Sequence, residues 1–288
     1  MGQRTVAGAP RMKLEFTKMH GAGNDFVVID GVRKPVELTP AHIQYLANRH
    51  SGIGCDQVLL IEPPKRPDAD FEYKIFNADG SVAGQCGNGA RCVGRFIREQ
   101  RLSGSDAITL EVGGELTRLV MTKDLQVSAD LGAPKLALNA VPCSLESTDI
   151  ECDLTLGNVT LKAGILSMGN PHAVVLVDDC GATPVEKIGP MVQALDVFPE
   201  GVNVSFMEIE TASTVKLRVF ERGVGETLAC GSGACAAVVH GIRLGLLSTN
   251  VTVTLPGGKL EVTWEDERAP VWLAGPAETV FEGKLTLQ

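Results

Sequence analysis

The chain has 288 residues, 44% hydrophobic and 21% charged, an ordinary globular composition that excludes disorder, collagen and coiled coil and suggests about two domains. With 26 Lys and Arg against 35 Asp and Glu the formal charge is −9, which argues against nucleic-acid and anionic-membrane partners. No apolar run approaches 18 residues and Met1–Lys13 lacks the apolar stretch of a secretory leader, so a cytoplasmic protein with no membrane association is expected.

Residues 1–11 are small and polar and read as a disordered extension. Strand-like runs follow at Leu14–Phe16 and Phe26–Asp30, and Pro40–His50 reads as a helix with apolar Ile43, Leu46 and Ala47. Glu62–Asp70, with Pro63, Pro64 and Pro67, reads as a surface loop, and Tyr73–Phe76 as a short strand. Ala90–Gln100 has apolar residues at 90, 93, 96 and 97, a helical period that Ser103-Gly104 ends. Residues 106–131 alternate as strands around Gly113-Gly114. In the second half, Val174–Val177 and Val215–Phe220 read as strands, Ala234–Leu244 as a small-residue helix, and 251–264 as strands around Gly257-Gly258. Strand runs outnumber helices, so an α+β fold is expected.

The two halves repeat. The segment Phe76–Ala90 lies over Phe220–Ala234 without a gap at an offset of 144, matching Phe, Cys, Gly, Gly and Ala, and Gly113-Gly114 keeps that offset to Gly257-Gly258. Upstream the offset becomes 146, so that Gly23-Asn24 falls on Gly169-Asn170 and Gln57 on Asn203. A duplicated unit of about 140 residues accounts for this and predicts two similar domains facing each other across a cleft. Each brings to it one cysteine, Cys86 or Cys230, followed by Gly-x-Gly and a helix.

Eight cysteines invite a disulfide reading, but the chain is long enough to build a core, and no Cys-x-x-Cys pair marks a zinc site. Cys92 and Cys235 lie within the helices, and Cys55, Cys143, Cys152 and Cys180 have no repeat partner; these six read as small buried hydrophobes. Cys86 and Cys230 differ. Glycines beside them let the backbone turn so that consecutive N–H groups point at one anion, and a helix N-terminus adds partial positive charge. A carboxylate can sit there, and a neighbouring thiol, only about 3% ionised at pH 7 when free, is expected to have a lowered pKa. Two such thiols on opposite walls can take a proton from one face of a carbon and return one to the other. The natural reaction is racemisation or epimerisation beside a carboxylate, with helix N–H groups holding the charge that grows on it. His172, two residues after Asn170, is placed by the repeat at the cleft and is a candidate modulator of a thiol. No dinucleotide fingerprint, Walker A or His-Glu-x-x-His motif occurs; the helix N-termini and paired thiols replace an electron sink, so no cofactor and no metal are expected.

Five stretches in order, Lys18–Phe26, Phe76–Ser81, Gln85–Cys92, Ser167–His172 and Glu221–Ala234, closely resemble the diaminopimelate epimerase family. The resemblance covers about residues 12–288 and implies a cofactor-independent enzyme interconverting LL- and meso-2,6-diaminopimelate for lysine and peptidoglycan synthesis. It implies two pseudosymmetric α+β domains, each a sheet wrapped around a central helix: 12–132, together with a terminal strand in 276–288, and 133–275. It makes Cys86 and Cys230 the acid and base, with His172 and Glu221 tuning them. Gly87, Asn88, Gly231 and Ser232 would hold the reacting carboxylate. Asn24, Gln57, Asn77, Asn170, Asn203, Glu221 and Arg222 would surround the rest of this small-molecule substrate. A homodimer is among the expected states. Two rivals stand beside this reading: a proline-racemase-like enzyme, whose substrate has no second amino-acid end, and a non-catalytic switch that pairs Cys86 with Cys230.

Overall fold

The computed structural model describes residues 12–84, 87–122 and 126–287; the expected extension at 1–11 lies outside them. The first half runs β1 (Met12–Gly21), β2 (Asn24–Asp30), α1 (Pro40–Ala47), β3 (Gln57–Glu62), β4 (Phe71–Asn77), β5 (Val82–Ala83), α2 (Gly87–Glu99), β6 (Ala107–Val112), β7 (Glu115–Met121) and β8 (Val127–Asp130). The second runs β9 (Cys152–Leu156), β10 (Val159–Ser167), β11 (Pro171–Leu176), α3 (Val185–Gln193), β12 (Asn203–Thr211), β13 (Thr214–Glu221), β14 (Gly225–Thr227), α4 (Gly231–Arg243), β15 (Asn250–Leu255), β16 (Gly258–Thr263) and β17 (Trp272–Gly275), followed by β18 (Glu278–Leu287).

The strand ladder has the same order twice. Pairing runs β18–β1–β2–β3–β4–β6–β7–β8 in one half. In the other it runs β9–β10–β11–β12–β13–β15–β16–β17. Both halves are antiparallel except at two matching places: β2–β3 and β4–β6 in the first, β11–β12 and β13–β15 in the second. An antiparallel pairing of β8 with β17 joins them. The last strand, β18, takes beside β1 the place that β9 takes beside β10, with Met12 opposite Leu287.

Each half folds around a buried helix. The sequence of α4, Gly-Ser-Gly-Ala-Cys-Ala-Ala-Val-Val-His-Gly, is buried at every position from Gly231 to Gly241 except Ser232, the pattern of a helix with sheet on all sides. Small side chains let the strands close around it, and each fully buried Val contributes about 1.5–3 kcal/mol. Helix α2 is buried from Asn88 to Gly94 and again at Phe96 and Ile97 against β1, β7 and β8. Helices α1 and α3 cover the outer faces. Thr39 caps α1, accepting from His42 N–H while the His42 side chain accepts from the Thr39 N–H, and Pro40 occupies the first turn, where its missing N–H costs nothing. No helix among the described residues is long and apolar enough to cross a membrane.

The repeat needs one correction. The β6–β7 hairpin closes with Val112 opposite Glu115, so its turn is Gly113-Gly114, both with positive φ. The β15–β16 hairpin closes with Leu255 opposite Gly258, so its turn is Pro256-Gly257. The matching glycine pairs are therefore one residue out of structural register. Gly257 is instead a contact glycine: a Cβ placed on it would lie 2.1 Å from the Ala22 carbonyl oxygen, in the β1–β2 turn of the opposite half.

Candidate active site

The first turns of α2 and α4 meet. A Cβ placed on Gly231 would lie 4.0 Å from the Gly87 Cα and 3.7 Å from Asn88 Oδ1. One methyl of Leu273, on β17, closes the space beneath both: Leu273 Cδ2 would be 3.0 Å from a Cβ on Gly87 and 2.8 Å from one on Gly231. Gly231 has no positive φ, so on the α4 side the expectation that the glycine permits a special turn is corrected. What crowds a side chain at either glycine is the Leu273 methyl, while the facing helix start lies at ordinary contact distance from Gly231. The first turns of two helices thus lie side by side, and the partial positive charge of both N-termini favours an anion there.

In the second half the site residues form one hydrogen-bonded set. Cys230 precedes α4 as its N-cap and is 5% exposed. Its thiol donates to Glu221 Oε2 at 3.2 Å, and Thr227 Oγ1 donates to Glu221 Oε1 at 2.6 Å. The same sulfur lies 3.6 Å from Ser232 Oγ, which accepts from Asn170 Nδ2 at 3.4 Å. Asn170 Oδ1 in turn faces His172 Nε2 at 3.0 Å. Asn203 donates to the Pro171 carbonyl and accepts the Arg222 N–H, while Arg222 Nη1 reaches the Glu200 carbonyl and its head remains exposed.

Burial governs the titrations. It pushes the Cys230 thiol well above its ordinary value, and the Glu221 carboxylate adds to the rise. The lowered thiol pKa expected at a helix start is thus corrected, because desolvation and a neighbouring anion outweigh the hydrogen bonds from Ser232 and Gly233. His172 is 0% exposed, and burial, with the Arg222 charge, lowers it to about 3, so it is neutral at pH 7. Its Nε2–H can then donate to Asn170, leaving Nδ1 with no partner among the described residues.

The first-half residues fall into two groups. Asn24 follows Gly23, whose φ of 85° matches the 94° of Gly169 before Asn170. Its Nδ2 donates to Asp56 Oδ2 at 2.9 Å and its Oδ1 accepts from Asn88 Nδ2 at 3.4 Å. Gln57 donates to Asn77 Oδ1 at 3.0 Å, and Asn77 donates to Ser81 Oγ at 3.0 Å. Below Asn24 lies a feature that sequence reasoning missed, an ion cluster of Lys18, Asp25, Arg49 and Asp56. Burial works to raise the Asp25 carboxyl, yet hydrogen bonds from Arg49 and Lys18 hold it well below the usual carboxylate range. Its members come from β1, β2 and the two sides of Cys55, with no spacing that links them in sequence. The Gly23 turn touches Leu228 and Gly257 across the cleft. Cys86 lies outside the described residues. The remaining cysteines are buried except half-buried Cys143, and burial pushes Cys55 and Cys235 up to about 12.

Solved structures with this fold include a hydroxyproline epimerase from Agrobacterium vitis, with a TM-score of 0.70 at 17% identity, covering 96% of this chain and 93% of that one. A phenazine biosynthesis protein of the PhzF family from Bacillus anthracis matches with a TM-score of 0.66 at 17% identity, covering 95% and 99%. These likenesses establish the α+β architecture. Much closer in sequence are diaminopimelate epimerases of Teredinibacter turnerae, 51% identical over 96% of this chain and all of the relative, and of Ralstonia nicotianae, 50% identical over 96% and 97%. The family model for diaminopimelate epimerase matches residues 16–137 and 164–280, one segment in each half. The chain belongs to the diaminopimelate epimerase family, and it is an epimerase.

Proposed function

We propose that this enzyme interconverts LL- and meso-2,6-diaminopimelate by two-base proton transfer at the α-carbon, with Cys230 and Cys86 on opposite faces, serving lysine and peptidoglycan synthesis in the cytoplasm. The observation that carries this is the Cys230 thiol at the start of α4, bonded to Glu221, where the first turns of α2 and α4 abut. The reacting carboxylate lies on the N–H groups of Gly87, Asn88, Gly231 and Ser232. As the α-carbon loses its proton, negative charge grows on that carboxylate, and N–H groups already aimed there stabilise it without reorganising.

Cys230 takes the proton from the LL substrate and Cys86 delivers one to the other face; in the meso direction the roles reverse. The high pKa of Cys230 fits a base that must hold a carbon-derived proton, but its thiolate has to form first. Glu221 answers this. Thiol plus carboxylate and thiolate plus carboxylic acid both carry one negative charge, so proton transfer along the 3.2 Å contact creates no new charge in a buried site. His172 reaches the sulfur only through Asn170 and Ser232 and tunes the thiol by fixing that chain.

The distal end of diaminopimelate is a second amino acid. Arg222 pairs with its carboxylate, and Asn24, Gln57, Asn77, Asn170 and Asn203, with Glu221, accept from or donate to its polar groups. This polar set weighs against a proline-like substrate, which has no such end. The test is incubation with LL- and meso-diaminopimelate in D2O, read by NMR. Deuterium enters the α-position and the isomers interconvert; no exchange in either isomer rejects the enzyme reading and leaves the thiol switch. Activity is unaffected by EDTA or hydroxylamine, and loss restored by an added metal or pyridoxal phosphate rejects cofactor independence.

A further inference from the structure

Arg91 is the largest fully buried side chain of the molecule's described core, at 0% exposure on the first turns of α2. Burying a guanidinium costs several kcal/mol of lost hydration, so its place is informative. It does not simply fill space. Nη2 donates to Asn88 Oδ1 at 2.8 Å and Nη1 to the Gly87 carbonyl at 3.3 Å. Arginine has only donors, so this contact decides which way the Asn88 amide faces: oxygen to Arg91, nitrogen to Asn24 Oδ1. The oriented Oδ1 is also the atom that lies 3.7 Å from a Cβ placed on Gly231.

The duplication sharpens the point. The position matching Arg91 at the 144 offset is Cys235 on α4, fully buried, whose thiol feels the Arg91 charge. The α4 counterpart is uncharged, so one cation serves a junction shared by both halves. Two arginines there would repel at close range in a dry interior.

We propose that Arg91 is a positioning residue for the epimerisation, clamping Gly87 and Asn88 so that the first-turn N–H groups of α2 are aimed at the reacting carboxylate, and setting a positive charge behind both helix starts. This rests on the proposed function above. The carboxylate gains charge only as the α-carbon becomes planar, so the clamp acts more on turnover than on ground-state binding.

The test compares Arg91→Met, of similar volume and neutral, with Arg91→Lys, which keeps the charge. Arg91→Met removes a buried charge and is expected to melt no lower than wild type, while kcat falls on the order of 10²-fold and KM changes by less than about threefold. Arg91→Lys recovers about tenfold of that loss. Wild-type kcat in Arg91→Met overturns the proposal, as does a matched loss of melting temperature and activity in both variants. Should Arg91→Met fail to fold, Asn88→Ala decides: it keeps the guanidinium but removes the group it holds, and an unchanged kcat there overturns the clamp. Wild-type protein is assayed alongside. An inactive wild type rejects the epimerase reading, whereas an active wild type with an equally active Arg91→Met rejects this inference alone.

Discussion

Phe26 and His172 occupy matching places in the two halves, each on a strand that pairs in parallel with the next and opposite a polar residue, Gln57 or Asn203. The backbone there is the same; the side chains are not. The contrast continues along the repeat, with Asn77 against Glu221, Ala78 against Arg222 and Arg91 against Cys235. The first half keeps its cation buried behind the helix start and its site amides neutral. The second places a carboxylate on the thiol and an exposed guanidinium at the mouth. A duplicated backbone can supply two similar anion-binding helix starts. A substrate with one reacting and one silent end needs them to differ, and the difference lies in four or five side chains.

The comparison breaks first at the cysteines. Cys86→Ala and Cys230→Ala should each lower epimerisation by at least about 10³-fold in both directions, far from additively in the double variant, because the pair acts as one unit. Cys86→Ala should still wash deuterium into the LL isomer through Cys230, and Cys230→Ala only into the opposite configuration. Near-wild-type epimerisation by either variant makes one half's cysteine dispensable and ends the two-base reading.

The next effect belongs to the second half alone. Arg222→Met should weaken diaminopimelate binding by about 2–4 kcal/mol without creating proline racemisation. Calorimetric titration checks it, and unchanged affinity moves the distal pocket elsewhere.

His172→Phe, which copies Phe26, tests the buried imidazole. Its pKa is lowered in the folded state, so the unfolded chain takes up a proton that the folded one refuses. Stability is therefore lost as pH falls from about 6.5 toward about 3, and at pH 5 this amounts to about 2 kcal/mol. The variant should lose less stability than wild type between pH 7 and 5 in denaturant titrations; an equal loss assigns acid sensitivity to other groups.

The smallest effect concerns Glu221. Its carboxylate accepts the proton as the Cys230 thiol ionises, so Glu221→Gln in a Cys86→Ala background should slow alkylation of Cys230 by about tenfold at pH 8. Faster alkylation would mean that its charge, which raises the thiol, opposes ionisation more than the contact promotes it.

Much of this was legible in the residues. The repeat marked both helix starts, and the strand readings at Phe26–Asp30, Tyr73–Phe76 and Val215–Phe220 fall within β2, β4 and β13. The two central helices begin three residues earlier than their apolar period, at Gly87 and Gly231, because a glycine-rich first turn carries no periodic signal. Helix α3 was missed, although Pro40–Ala47 carried forward by 146 falls on residues 186–193. Its sequence carries Gly189 and Pro190, both poor helix formers, and Gly189 is required where Phe220 packs: a Cβ there would lie 2.4 Å from that ring. The ion cluster under Asn24 and the high pKa of Cys230 could not be read from sequence, since both depend on burial and on partners brought together by folding.

The pairing of Met12 with Leu287 also has a consequence for synthesis. A ribosome finishes β8 while more than half the chain is still unmade, and β1 then has β2 on one side and an open row of backbone donors and acceptors on the other. At about 5–20 residues per second that edge stays open for on the order of ten seconds, until β18 emerges. During that interval the nascent first half is the species most exposed to mispairing, and loss of the last ten residues would make the exposure permanent.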